Sequence, residues 1–391
     1  MRRPDERLRK PDKPIGAEPD TDYAVAPTSP KGLPMTRAYL NRIAGAVPPH
    51  DVHATFLHFA ESLLLNDPCR MALFRRMARW AGIEHRYSLL EPADDPEDTA
   101  LDTAGLYVRG KFPTTAVRMR FFEAHAPKLA AAAVERLELN DERNRITHLL
   151  ISSCTGFSAP GLDLEIIGRC RLPISVERTI VGFMGCYAAL NALKLARHIV
   201  RSEPKARVLI VNLELCTLHL RETTDLEEIL SFLLWGDGCA ASLVSAKPTG
   251  LALEAFRSTV LPGTRDLLKW RIGDLGFDMV LAGQVPAAIH EGLQAHADEV
   301  LGGTPASSIE LWAVHPGGRT IVDAVERAFD LPPAALSASR EVLRRFGNMS
   351  SATVMFVLEE ILHAAEGGGM GCAVSFGPGL VVEAMRFRGA G

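Results

Sequence analysis

The runs ITHLLIS (Ile146–Ser152), TIVGFMG (Thr179–Gly185), CYAALNALKLARHIVR (Cys186–Arg201) and RVLIVNL (Arg207–Leu213) follow one another along the chain. The first, second and fourth are short apolar stretches that suit buried strands, whereas the third spaces its apolar residues for one face of a helix. A loop, SCTGFSAPGL (Ser153–Leu162), and a helix from about Asp163 separate the first two runs. Strands alternating with helices are the signature of an α/β layered fold. Downstream, Ala240–Ser245 and Leu251–Arg257 read as strands paired with each other after the turn Gly236-Asp237-Gly238. A helix over about Pro286–Leu301, the strand IELWAV (Ile309–Val314), His315-Pro316-Gly317-Gly318 and a helix from about Thr320 repeat the rhythm. A helix over about Ser350–Ala365 and a strand at Cys372–Phe376 close it. The expected division is a leader at 1–35 and two halves at 36–250 and 251–391, which suggest an internal duplication without a residue-level repeat.

The 391 residues are 47% apolar and 23% charged, a globular composition long enough for a sizeable core. The first 35 residues, rich in Pro, Arg, Lys and Asp and without apolar periodicity, read as a mobile leader. A formal charge of −4 gives no global attraction to nucleic acid or to an anionic bilayer. No apolar run approaches the ~18 residues of a membrane span, and the polar N-terminus lacks a signal-type apolar core, so a cytoplasmic address is expected. Seven cysteines scattered from Cys69 to Cys372, with no C-x-x-C pair, read as reduced thiols. Cys216-x-x-His219 and His50-x-x-His53 are isolated pairs without further ligands at metal-site spacing, so no metal site is expected.

Cys186 follows the small turn Met184-Gly185 and opens a helix. The unpaired N–H groups and positive dipole end there favour thiolate, which suits a nucleophile; an inert buried cysteine at a tight junction is the plainer alternative. His315 stands at the end of an apolar strand, and Asn348 in FGNMSS (Phe346–Ser351) before a helix. Either alone reads as a structural residue, but strand ends are where α/β folds assemble sites.

GFMGCYAA around Cys186, WAVHPGG around His315, FGNMSSATV around Asn348 and SFGPGL at Ser375–Leu380 resemble the type III polyketide synthases, the chalcone/stilbene synthase family of the thiolase superfamily. The resemblance spans roughly residues 36 to 388. It implies a homodimer of thiolase-like αβαβα subunits, acyl-CoA starters, malonyl-CoA extenders, no cofactor beyond these thioesters, and a triad of Cys186, His315 and Asn348. In that scheme His315 takes the Cys186 proton, the sulfur carries the growing chain, and His315 with Asn348 stabilises the enolate formed as malonyl-CoA loses CO2.

The resemblance also carries over Phe277 and Trp235 as gatekeepers between CoA tunnel and cavity, with Trp235 departing from the plant phenylalanine. It places Gly377, Pro378 and Gly379 at the cavity floor, and Cys154, Cys216 and His219 where plant members have threonines. On an early helix it places Arg76 as a CoA contact, with Arg75 and Arg79 as substitutes for family lysines that are absent. Cys216 after Glu214-Leu215 and the small Ala159 are similar to bacterial members, several of which extend fatty acyl starters to alkylpyrones or alkylresorcinols. That product class is the expectation, with an aromatic or short starter as the alternative and an acyl carrier protein as a second starter donor.

Three rival readings compete. A papain-like hydrolase also orders Cys, His and Asn, but its C-G-[SA]-C-[WY] signature is absent. A ketoacyl-carrier-protein synthase would perform a single condensation. A catalytically silent homologue would accept no acyl group.

Overall fold

A computed structural model describes residues 36–95, 99–364 and 368–390. The expected leader lies outside the described residues. From Thr36 onward the chain is one compact unit. The strands are β1 (Tyr39–Ala46), β2 (His50–Asp51), β3 (Tyr87–Ser88), β4 (His148–Ser153), β5 (Glu177–Gly182), β6 (Arg207–Leu215), β7 (Asp237–Ser245), β8 (Leu251–Val260), β9 (Leu268–Gly273), β10 (Gly276–Leu281), β11 (Leu311–Val314), β12 (Met370–Gly377) and β13 (Val381–Gly389). The helices are α1 (His53–Leu63), α2 (Pro68–Ala81), α3 (Thr115–Arg136), α4 (Leu162–Arg169), α5 (Ala188–Ser202), α6 (Leu226–Phe232), α7 (Val285–Ala295), α8 (Ala297–Leu301), α9 (Arg319–Ala328), α10 (Ser337–Phe346) and α11 (Ser351–Ala364).

Nine strands form one sheet in the order β11-β12-β13-β8-β1-β7-β6-β4-β5. The sheet is narrowest at its middle, where β1 and β8 share only Tyr39↔Ala252 and Leu40↔Leu251. Alternation along the strands sorts side chains into layers, because successive residues of a strand face opposite sides. On β6, Val208 and Ile210 join a core with α5 and α11, whereas Leu209, Val211 and Leu213 join a second core with α3 and α4. On β11, Ala313 reaches the α5/α11 core, and Trp312 and Val314 pack against α7 and α9. The layers therefore run α3/α4, one half of the sheet (β1 and β4–β7), α5/α11, the other half (β8 and β11–β13), α7–α9, the αβαβα arrangement expected. Their central helices suit this place: α5 aligns Ala188, Ala192, Leu193, Ala196 and Val200 on its buried face, and the apolar run TVMFVL puts buried residues all round α11.

Two expectations are corrected here. β7 and β8 do not pair with each other; β1 enters between them, antiparallel to both. The helix expected over 286–301 is also broken, at His296, into α7 and α8.

Candidate active site

Cys186 lies in a short 3-10 turn, Gly185–Tyr187, that runs directly into α5. The turn is built by Gly185, whose φ of 72° suits glycine and whose missing Cβ makes room for the Pro378 ring. Phe183 just before it is also held at positive φ, 58°, a strained conformation for a bulky residue. Gly377, next along, has no room for a Cβ against the Tyr187 ring. The Gly377-Pro378-Gly379 loop thus braces the Cys186 turn, and Pro378 lines the pocket at Cys186.

That pocket holds about 440 Å³ of space, mouth included, and its walls include Cys154, Cys216, Trp235 and Asn348. The Asn348 backbone is clamped to the Trp235 segment: its N–H donates to the Leu234 carbonyl at 2.6 Å and its carbonyl accepts from Gly236 at 3.1 Å. Its side-chain Nδ2 donates to the Gly317 carbonyl at 3.2 Å, and its Oδ1 accepts from the Ser350 N–H at 2.8 Å. His315 is 1% exposed, and a Cβ built on Gly317 would lie 3.6 Å from its Nε2 and Cδ2. Gly317 therefore ties the imidazole to the Asn348 amide. Neither ring nitrogen of His315 has a hydrogen-bond partner, so no bond joins it to Cys186 in this state.

The electrostatics correct one expectation. Burial pushes the Cys186 thiol up to about 11, opposed by hydrogen bonding from Ser350, and burial pushes His315 down to about 3. At neutral pH the resting pair is thiol and neutral imidazole rather than a preformed thiolate. Desolvation outweighs the helix entrance.

Ser350, held at φ 47°, is a site residue that sequence reasoning missed. Its Oγ lies 3.6 Å from Cys186 Sγ and 3.2 Å from Cys154 Sγ. Behind Cys154 stands Glu214, unexposed, accepting from Cys154 N–H at 2.9 Å, Thr155 Oγ1 at 2.8 Å and Ser351 Oγ at 2.5 Å. Burial pushes its carboxyl up to about 7. Leu268, Trp270 and Met279, on the β9–β10 hairpin, also line the pocket and were not anticipated.

Five of the residues expected at the site, His315, His219, Phe277, Gly377 and Gly379, are not among those lining the Cys186 pocket. The rings of His219 and Phe277 stack on each other with centroids 4.2 Å apart. His219 is fixed there because Nε2 meets the Thr155 carbonyl at 2.7 Å and Nδ1 accepts the Phe277 N–H at 3.0 Å. Both nitrogens being engaged, Cys216 and His219 do not form a metal-binding pair. Phe277 is buried among Phe183, Phe157 and Trp270.

Two further cavities adjoin. The first, apolar with about 610 Å³ of space, shares the walls Cys216 and Trp235 with the Cys186 pocket and is lined by Phe56, Phe59, Leu90 and Phe232. The second, about 880 Å³, runs from Met77 and Trp80 of α2 past Leu234 to Gly317 and Gly318. Arg76 is exposed on α2 and does not itself line that cavity. Arg75 is taken by Glu61, at 2.8 and 2.6 Å, so it is not a spare cation for phosphate.

The profile of the N-terminal domain of chalcone and stilbene synthases matches residues 43–248, and that of the C-terminal domain matches 252–390. The chain belongs to the chalcone and stilbene synthase family. This type III polyketide synthase is 31% identical over 386 residues to the alpha-pyrone synthesis polyketide synthase-like Pks18 of Mycobacterium tuberculosis, covering 95% of each chain. It is also 31% identical over 334 residues to bisdemethoxycurcumin synthase of Oryza sativa subsp. japonica, covering 80% of this chain and 82% of that one. The crystal structure of PKS-I from the brown alga Ectocarpus siliculosus superposes with a TM-score of 0.82 at 27% identity, covering 92% of this chain and all of that one. The C-terminal type III polyketide synthase domain of Steely1 from Dictyostelium shares the fold, with a TM-score of 0.81 at 22% identity over 91% of this chain and all of that domain. The synthase is an acyltransferase of thiolase-like fold, and among the described residues no helix is long and apolar enough to cross a membrane.

Proposed function

We propose that the synthase loads a medium- or long-chain fatty acyl-CoA onto Cys186 and extends it with malonyl-CoA to an alkylpyrone or alkylresorcinol. His315 accepts the thiol proton as the sulfur attacks the starter thioester and keeps it, while CoA leaves as the thiolate and takes its proton from solvent. When malonyl-CoA loses CO2, the Asn348 amide and the protonated His315 donate to the enolate oxygen, where negative charge gathers. The enolate carbon displaces sulfur from the acyl group, and transfer of the lengthened chain back to Cys186 permits another round. CoA thioesters supply every reacting atom, so the scheme calls for no metal or redox cofactor. The cavity from α2 to Gly317 suits the CoA arm, and Arg76 and Arg79, exposed on α2, are the cations offered to its phosphates.

The observation that carries the fatty starter is the apolar chamber that shares Cys216 and Trp235 with the Cys186 pocket. An alkyl chain bound to Cys186 would pass these two residues to leave water. The mycobacterial relative, an alpha-pyrone synthesis polyketide synthase-like protein, points the same way. Products from a panel of acyl-CoA starters, identified by mass spectrometry, test the reading. Lauroyl- and longer acyl-CoAs should outperform 4-coumaroyl-CoA, and Cys216→Phe should lower kcat/KM for long starters by about tenfold or more while sparing acetyl-CoA. A preference for 4-coumaroyl-CoA would overturn the starter assignment, and a single two-carbon extension would favour a ketoacyl-synthase activity instead.

The same reading includes a homodimer, a cytoplasmic setting for the seven free thiols, and division of the fold into halves near residue 250. β5 supports the dimer: it has β4 as its one neighbour in the sheet, and Ile180, Phe157, Leu164 and Met184 around it are exposed. An open strand edge among apolar side chains favours pairing with another copy. An acyl carrier protein as starter donor would use the same Cys186 chemistry.

A further inference from the structure

Ser375 is wholly buried on β12, and its hydroxyl has no hydrogen-bond partner. A buried hydroxyl without a partner is destabilising, so its presence calls for a reason. Its neighbour across the sheet supplies one. β11 and β12 run parallel with Val314 opposite Val374, and the His315 N–H donates to the Val374 carbonyl at 2.8 Å, so His315 stands next to Ser375. Val314 and Val374 both face the α7/α9 layer, whereas Ala313 and Ala373 both face the α5/α11 layer. Alternation then turns His315 and Ser375 together toward α5 and α11, the layer that carries Cys186 and Asn348.

The imidazole presents its Nε2–Cδ2 edge to Gly317, whose carbonyl holds the Asn348 amide. Nδ1, on the opposite edge, is buried and unpartnered, as is the Ser375 hydroxyl. On the other side of Ser375, Glu383 stands opposite in the antiparallel register, but its carboxylate is engaged by Lys194 at 3.1 Å and takes no bond from the serine. The hydroxyl therefore has one unserved polar neighbour in its row of the sheet.

We propose that Ser375 is a positioning residue for His315, accepting the Nδ1–H directly after a χ1 rotation or through one bridging water, so that Nε2 faces Cys186 unprotonated. The imidazole can take a proton at Nε2 only as the tautomer protonated at Nδ1, and a partner for Nδ1–H selects that tautomer. When His315 becomes imidazolium, the same contact leaves Nε2–H directed at the thioester oxygen. Ser375 itself touches no substrate.

The inference rests on His315 being the proton acceptor, and the experiment separates the two claims. Stopped-flow acylation of Cys186 by lauroyl-CoA is followed from pH 6 to 10 in the wild type, Ser375→Ala and Ser375→Gly, with 15N spectra of histidine-labelled enzyme reporting the His315 tautomer. The wild type should acylate, with His315 protonated at Nδ1. Both variants should melt near the wild-type temperature, acylate about tenfold more slowly with the pH midpoint moved upward, and show a mixed tautomer. Wild-type rate and pH profile in a folded Ser375→Ala would overturn the inference, as would slower acylation with an unchanged tautomer. Failure of the wild type to acylate would instead overturn the assignment of the reaction.

Discussion

Cys186 and His315 rest as neutral partners because both are buried, and the same burial makes Glu214 a sensitive reporter. Its carboxyl is pushed from the ordinary range near 4.5 up to about 7. Below pH ~4.5 it is protonated whether the chain is folded or not. As pH rises to 7 the unfolded chain releases the proton first, so the stability present at low pH is lost across this window, by up to ~3 kcal/mol for a shift of this size. Glu214→Gln should flatten the dependence of the unfolding free energy on pH between about 4.5 and 7, as measured by urea titration. Asp237, pushed by burial up to about 6, retains its own share of the slope. An unchanged slope in Glu214→Gln would mean that the carboxylate is ionised in the folded state. The residue scale is also where the sequence was most and least legible. Cys186, His315 and Asn348 stand out because each sits at an element boundary with turn-forming neighbours. Ser350 was overlooked because its place beside Cys186 depends on a positive φ, and the stacking of Phe277 on His219 was not foreseen because it joins β10 to the segment after β6, which no local pattern reports.

At the scale of elements, strands and helices with strong periodicity were read correctly, among them β4, β6, α5, α9 and α11. The pairing of β7 with β8 was not, because nearness in sequence suggests a hairpin while β1, some 200 residues away in the chain, supplies both partners with hydrogen bonds. Long-range strand insertion leaves no trace in periodicity. The entrance to α5 is the element on which chemistry depends. Gly185→Ala would add a methyl where Pro378 packs, at a φ that alanine resists. The substitution should cost about 1–3 kcal/mol of stability and reduce Cys186 acylation by roughly a hundredfold, since a displacement near 1 Å suffices for that loss. Thermal melting and acylation kinetics of the same preparation check it. Normal acylation in Gly185→Ala would show that the turn tolerates movement.

For the whole molecule, layering places Cys186 at the start of one central helix, Asn348 just before the other, and His315 at the end of a strand between two layers. That arrangement, rather than any one motif, brings Cys186 and Asn348 to one pocket and sets His315 beside Gly317, whose carbonyl holds the Asn348 amide. The open β5 edge extends the argument to assembly: Ile180→Lys should shift sedimentation from dimer toward monomer, and an unaltered dimer would move the interface elsewhere. The covalent step remains the measurement on which the rest depends. Intact-protein and peptide mass spectrometry after mixing with lauroyl-CoA should find one acyl group, on the peptide bearing Cys186, discharged when malonyl-CoA is added and absent in Cys186→Ala. Acylation at another residue, or a Cys186→Ala enzyme that still forms polyketide, would contradict the account.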